Sequence, residues 1–517
     1  MNYVDLFRAT LPETALEIAA LLVLVVDLGF LRKAAIKTRI AAAALVGIVG
    51  CAAALWAVYA AGWGSLSNGS YVVLAAGGSA AVAQIAILVL TALTLVLFID
   101  TGFTRNPGEY VAVVLMAAAG GLIISAAQDL LVIFIGLELL SLGLYILTAF
   151  AKKSEKSAEA AMKYYLFGGM SAAFLLFGFS YLYGLSGTTY LPSVVYRVNN
   201  AAFNGGTPLL LIALVMIAAG LGFKVAAVPF HFWAPDTYEG APAPAAAFIA
   251  SVSKVASFAL LISIGRTALA YFQILMQNAH ATGRVYFTTS VSNAPIRSAF
   301  TVYYGWYLIL ITLAVASMIV GNLAALAQTS VRRLLAYSAI AHAGYILLGL
   351  AFFGWTNLSA QAILYYILTY GLTTIGAFGV VGVVERAMGS DKMDAFLGLQ
   401  KRNPLLAAVL LVLFLSLAGI PPLVGFWAKF NLFAAVLAVG AGPIPFALVA
   451  LAIAFSAVSL YYYLQVLKRA YVMPAADDAP IRAHPVTLAV LVLIAAAVVV
   501  LGCFPALLQN WIASFYA

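Results

Sequence analysis

GFKVAAVPFHFWAPDTYEGAP, residues 222–242, lies between one apolar run that begins near residue 207 and another that ends near residue 265. Lys224 sits five residues before Pro229, and Pro235 and Pro242 follow. A lysine at bilayer depth costs about 2.5–3.5 kcal/mol on insertion scales, so it is kept only where protein, water or a partner receives it. Each proline removes a backbone donor and breaks helical hydrogen bonding. A cation beside such a break has two readings. The helix is interrupted inside the membrane, as in ion pathways, or the chain simply leaves the bilayer there.

The surrounding composition decides that a bilayer is the solvent. Of 517 residues, 65% are apolar and 8% charged, whereas soluble domains are about half apolar and about a quarter charged. Apolar runs of about 20 residues, the length of a span, recur from Leu11 to the C-terminus without a long polar linker. The reading is an all-α polytopic membrane protein with a single integral domain and about fourteen spans. They lie near 12–31, 38–60, 76–99, 110–128, 130–150, 160–184, 207–231, 242–265, 301–324, 333–354, 359–385, 404–436, 443–470 and 485–513. In the connection 271–300 the alternating stretch Arg284 to Thr289 gives a weak hairpin signal.

The net charge of +9 is a matter of loop anchoring, with no nucleic-acid partner implied. Of 26 basic residues, 17 fall in alternate connections, among them Arg32, Lys33, Lys152, Lys153, Arg332, Arg333, Lys392, Lys401, Lys468 and Arg482. Five (Arg8, Arg197, Arg266, Arg284, Arg297) fall in the others. Cytoplasmic loops carry the excess of Lys and Arg, which predicts an even number of spans with both termini outside. The N-terminus lacks the features of a signal or transit peptide, so the first helix is expected to be retained. Cys51 and Cys503 lie far apart in apolar runs, without spacing for zinc or an iron-sulfur cluster.

Four lysines remain inside apolar runs: Lys163, Lys224, Lys254 and Lys429. Glu138, in the run Gly136 to Ser141, has no opposite charge in its own span, so its partner is expected from another helix. Lys224 and Lys254 lie too deep for simple snorkelling and read as proton-handling groups, because a nearby carboxylate sets a buried lysine's proton affinity. Lys163 has a second reading, a side chain snorkelling to the headgroups. Lys429 follows Gly419-Ile420-Pro421-Pro422 by about two turns, and this second break reads as a discontinuous helix or a proline kink. His342 suits proton relay, with a satisfied buried histidine as the rival. His231 is a similar candidate expected to be more exposed. Tyr461-Tyr462-Tyr463 reads as packing and interfacial aromatics.

With Ala243-Pro244, the opening stretch closely resembles the seventh-helix signature of subunit N of bacterial NADH-quinone oxidoreductase (respiratory complex I), an antiporter-like membrane subunit family. Gly136 to Tyr145, Arg332 to Tyr345 and Leu415 to Lys429 agree with it, so the likeness covers about Tyr110 to Tyr471. The resemblance implies two inverted five-helix repeats with helices 7 and 12 broken. The expected organisation is three N-terminal helices in 1–105, helices 4–8 in 110–270, helices 9–13 in 300–472 and a last helix in 485–517.

It further implies proton translocation by Glu138, Lys163, Lys224, Lys254, His342 and Lys429, with Glu138 pairing with Lys224. The chain is then one subunit of an NADH:quinone oxidoreductase translocase and carries no redox centre. NADH, FMN, iron-sulfur clusters and quinone are implied on other subunits, and no dinucleotide or P-loop fingerprint occurs here. The implied neighbours are other membrane subunits, including antiporter-like chain M and the small chains K and J, within the lipid of a bacterial cytoplasmic membrane and with periplasmic termini. A subunit of a multisubunit cation/proton antiporter is the alternative, and a non-conducting structural subunit is a third.

Overall fold

The computed structural model describes residues 7, 10–60, 73–75, 77–201, 206–281, 294–353, 358–439, 442–475 and 479–516. The hairpin expected at residues 284–289 lies outside them. Among the described residues, twelve helices are long and apolar enough to cross a bilayer. Two interrupted segments complete fourteen spans. Span 1 is an α-helix, Leu11–Leu24, continued by a π-turn, Val25–Phe30. Span 12 is split into Pro404–Ala418 and Val424–Leu437. At 1.5 Å rise per residue each half reaches only about 20 Å, short of the roughly 30 Å hydrocarbon core. The halves therefore cross only together.

Spans 2 to 6 are Ile36–Ala60, Gly78–Ile99, Pro107–Ala126, Leu130–Thr148 and Glu155–Ser186. A short helix not expected from the sequence, Leu191–Ala201, leads to span 7, Thr207–Val225, which stops and resumes as Trp233–Gly240. Span 8 starts as Ala243–Phe248, widens into a π-turn at Ile249–Ser253 and continues as Lys254–Ala281. Spans 9, 10, 11, 13 and 14 are Ala294–Leu326, Val331–Ala351, Leu358–Met388, Pro443–Tyr471 and Pro485–Cys503. Both expected interruptions are present. They fall in spans 7 and 12.

Contacts between connections fix which ends share a face. Asp27, buried in the π-turn of span 1, accepts from Arg39 Nε at 2.7 Å, from Arg39 Nη2 at 2.8 Å and from the Gly108 N–H at 3.1 Å. Arg386 Nη2 donates to Asp100 Oδ2 at 2.5 Å, and the His484 N–H reaches the same oxygen at 3.1 Å. These basic ends form one face. At the other end Arg266 donates to Ser79 at 3.1 Å and lies 5.7 Å from the Tyr516 ring. That contact puts the C-terminus on the face opposite the basic clusters. Spans 8 and 10 are almost wholly buried and form the centre, while span 13 turns most of its surface outward.

Candidate functional site

Glu138 and Ser141 stand three residues apart on span 5, on one helix face. Lys224, in the last turn of the first half of span 7 and 7% exposed, donates from Nζ to Ser141 Oγ. The lysine therefore lies about one turn from Glu138. The direct Glu138–Lys224 ion pair does not form, and Glu138 Oε1 is buried with no hydrogen-bond partner. Lys224 is free to face span 5 because another residue closes its break. Trp233 Nε1 donates to the Phe223 carbonyl at 3.0 Å, and the Ala227 N–H takes Gly222 O at 2.8 Å.

Around the second break the division of labour differs. A helix C-terminus leaves carbonyls unsatisfied and carries partial negative charge. Lys429 Nζ, 6% exposed, reaches back across Gly419–Leu423 and donates to Leu417 O at 3.0 Å, Ala418 O at 2.8 Å and Ser456 Oγ at 2.9 Å. All three ammonium donors are used. The unequal placing of the two lysines about their prolines thus has a physical cause: tryptophan satisfies one break and lysine the other.

Lys254, 3% exposed, follows directly on the π-turn of span 8 and donates to the Ala339 carbonyl of span 10. One extra residue in a turn rotates everything after it by about 100°, and this sets the direction in which Lys254 points. Its Nζ lies 5.6 Å from the Tyr370 ring centroid, and that ring lies 4.9 Å from His342. His342, 4% exposed, bonds Tyr366 through Nδ1 at 2.7 Å. Tyr345 continues the series, 5.8 Å from His342 and 5.6 Å from Lys429 Nζ. Lys254, His342 and Lys429 therefore share one aromatic-lined core.

Lys163 is placed apart from this core. Its side chain is 41% exposed and pairs with Glu159 at 2.7 Å and Asp236 at 2.8 Å. Asp236 also meets Arg333 at 2.6 Å, and Glu239 meets Arg333 at 3.0 Å and Lys156 at 3.1 Å. Beside this network Arg332 donates to Tyr238 O at 2.8 Å, to Ala241 O and to Glu385 at 3.1 Å. The network ties the second half of span 7 to spans 6, 10 and 11. His231 is buried rather than exposed, with Nδ1 unpartnered.

Ser141, Ser456, Tyr366 and Tyr370 were not singled out in the sequence. Ser141 carries a signal, a hydroxyl three residues after an intramembrane acid. Tyr366 and Tyr370 have helical spacing but face His342 only through packing. Tyr462 and Tyr463 are core residues, not interfacial ones, with hydroxyls on Asn322 and Ser338 respectively, while Tyr461 is 58% exposed. Among the described residues no cluster of His, Cys, Asp or Glu has the make-up of a metal site.

Residues 127–283 and 285–456 match the family described as NADH:quinone oxidoreductase/Mrp antiporter, TM. NADH-quinone oxidoreductase subunit N 2 of Acidobacterium capsulatum is 45% identical, over 99% of each chain. A chain of respiratory complex I from Thermus thermophilus is 32% identical with a TM-score of 0.73, covering 96% of this chain and 98% of that one. A chain of the Mrp complex from Dietzia sp. shares the fold alone, at 21% identity and a TM-score of 0.74, over 97% of this chain and 96% of that one. The chain therefore belongs to the family of NADH-quinone oxidoreductase subunit N, the antiporter-like membrane subunits of respiratory complex I.

Proposed function

We propose that this subunit carries protons across the membrane, with Glu138, Lys224 and Lys254 on spans 5, 7 and 8 and His342 and Lys429 on spans 10 and 12. One observation carries the reading. The three buried lysines are held by neutral acceptors, namely Ser141, the Ala339, Leu417 and Ala418 carbonyls, and Ser456. A carboxylate in contact would lock a lysine in its charged form. A neutral acceptor leaves the choice to more distant charges, and Glu138 stands one turn from Lys224 with a carboxylate oxygen uncommitted. Movement of that charge toward or away from Lys224 then switches proton holding and release. Lys163 serves in the peripheral network that fixes the second half of span 7.

Free energy for this cycle comes from electron transfer in other subunits, which hold NADH, FMN, the iron-sulfur clusters and quinone. Neighbouring membrane subunits, chain M and the small chains K and J, complete the assembly. The basic face is cytoplasmic by the distribution of Lys and Arg, which puts both termini in the periplasm of a bacterial cytoplasmic membrane. NADH-driven proton uptake and quinone reductase rate, measured together in membrane vesicles, test the reading. Glu138→Gln and Lys224→Ala are expected to lose most proton uptake in an assembled complex, while Lys153→Ala, in an exposed connection, keeps it. Parental uptake in both core variants would leave these charges purely structural.

A further inference from the structure

Two depressions adjoin on the basic face, and Tyr461 and Gln465 of span 13 line both. One is a polar cleft of about 420 Å3 between span 9, span 13 and the connection after span 11, bounded by Lys392, Asp394 and Arg469. The other is an apolar groove of about 480 Å3 on the outer side of spans 12 and 13, walled by Leu411, Leu464, Leu467 and Tyr471 and flanked by Lys468. Sites that hold small molecules measure about 300–1,000 Å3. Together the pair joins a polar half to an apolar half. Span 13 has 29 residues, which reach about 43 Å against a hydrocarbon core of about 30 Å. The excess falls at its basic end, where the last turn carries Lys468 and Arg469. Arg469 Nη1 donates to Gln465 O at 3.1 Å and to Gln465 Oε1 at 3.2 Å, whereas Nε is buried without a hydrogen bond. Asp394 Oδ1 lies 3.5 Å from that Nε, on a side chain 80% exposed. Lys392 and Lys468 are exposed and enter no ion pair among the described residues. Three cations thus surround the junction against one carboxylate.

We propose that the two depressions together bind one anionic glycerophospholipid of the basic-face leaflet. Its phosphate accepts from Arg469 Nε, Lys392 and Lys468 flank it from the two sides, and an acyl chain lies in the groove against Leu411, Leu464 and Tyr471. Basic recesses between spans on the cytoplasmic side suit anionic headgroups. Lys468 serves both halves, since its methylenes cover apolar surface while its ammonium stays among the headgroups. A free phosphate would meet the cations but leave the groove uncovered. A zwitterionic headgroup brings a cation of its own, which Lys392 and Lys468 repel. The class that fits is a phosphatidylglycerol, with one negative charge and an uncharged polar head. The site stands independently of the proton-carrying reading.

The test uses the whole complex in phosphatidylcholine vesicles doped with phosphatidylglycerol that carries a photoactivatable diazirine on one acyl chain. After illumination, labelled peptides of this chain are mapped by mass spectrometry, against the same diazirine carried on phosphatidylcholine. The expected result is label around Leu411 and across Leu464 to Val472, several-fold stronger from phosphatidylglycerol. Lys468→Gln is expected to lower that label about fivefold, the scale of one lysine near an anionic headgroup, and to leave phosphatidylcholine labelling unchanged. Lys153→Gln, on the same face but away from the groove, should leave both unchanged, which separates a local site from general attraction to the basic face. Unlabelled phosphatidylglycerol should compete and glycerol 3-phosphate should not. Equal labelling by the two lipids, or phosphatidylglycerol labelling indifferent to Lys468→Gln, overturns the site. So does an unlabelled groove, the mark of a neighbouring subunit seated on it, or displacement by glycerol 3-phosphate, the mark of a phosphate site without a lipid.

Discussion

Ser141 Oγ donates to Leu137 O and accepts from Lys224, so one hydroxyl keeps a buried ammonium away from a carboxylate one turn off. Removing it leaves Lys224 to find another acceptor, and an unsatisfied buried group costs about 1–3 kcal/mol. The uncommitted oxygen of Glu138 is the natural replacement. Ser141→Ala should therefore convert a separated pair into a contact ion pair, hold the proton more tightly and slow proton uptake roughly tenfold. Ser141→Thr retains the hydroxyl and should pump near the parental rate. Protons taken up per NADH oxidised, compared between the two variants, decide the matter, and identical behaviour would remove Ser141 from the cycle. The lysines and the acid were legible as residues because charge in an apolar run is rare. Their hydroxyl and carbonyl partners were not, since serines and backbone carbonyls occur in every span.

Among the elements, the break in span 12 depends on Gly419. Its φ of 88° is in the left-handed region, and a Cβ there would lie 2.9 Å from Lys429 Cδ. Gly419→Ala thus meets a backbone penalty of about 1–2 kcal/mol and displaces the lysine that closes the break. Proton uptake should fall nearly as far as in Lys429→Ala while the subunit still assembles; a variant that pumps normally would show that Lys429 does not need this geometry. The second half of span 7 is fixed from outside, through Asp236 and Glu239. Asp236→Asn should cost about 1 kcal/mol, the scale of a partly exposed pair. It would be seen as earlier release of this chain on heating the purified complex, and an unchanged release temperature would make the network ornamental.

For the whole molecule, the joined ends give an even number of spans and put the basic connections on one face. Cysteines introduced beside Arg32 and beside Lys392 should react with an impermeant reagent from the same side, and only in inside-out vesicles. Reaction of one from each side would contradict the alternation of fourteen spans, and reaction of both from outside would reverse the orientation.

The sequence by itself determined the bilayer as solvent, the number and place of the spans, both breaks and the family, since apolar length, proline position and local motif are properties of the chain read in order. Only the tertiary structure decided which charges meet. Lys254 with Ala339, His342 with Tyr366 and Lys429 with Ser456 are contacts between different helices. Helices apolar all round show no stripe that marks the inward face, and the π-turn before Lys254 rotates the face that a regular helix would present. For the same reason Lys163, alike in sequence to the other three, ends on the periphery with Asp236, and Tyr462 and Tyr463 turn inward while Tyr461 does not.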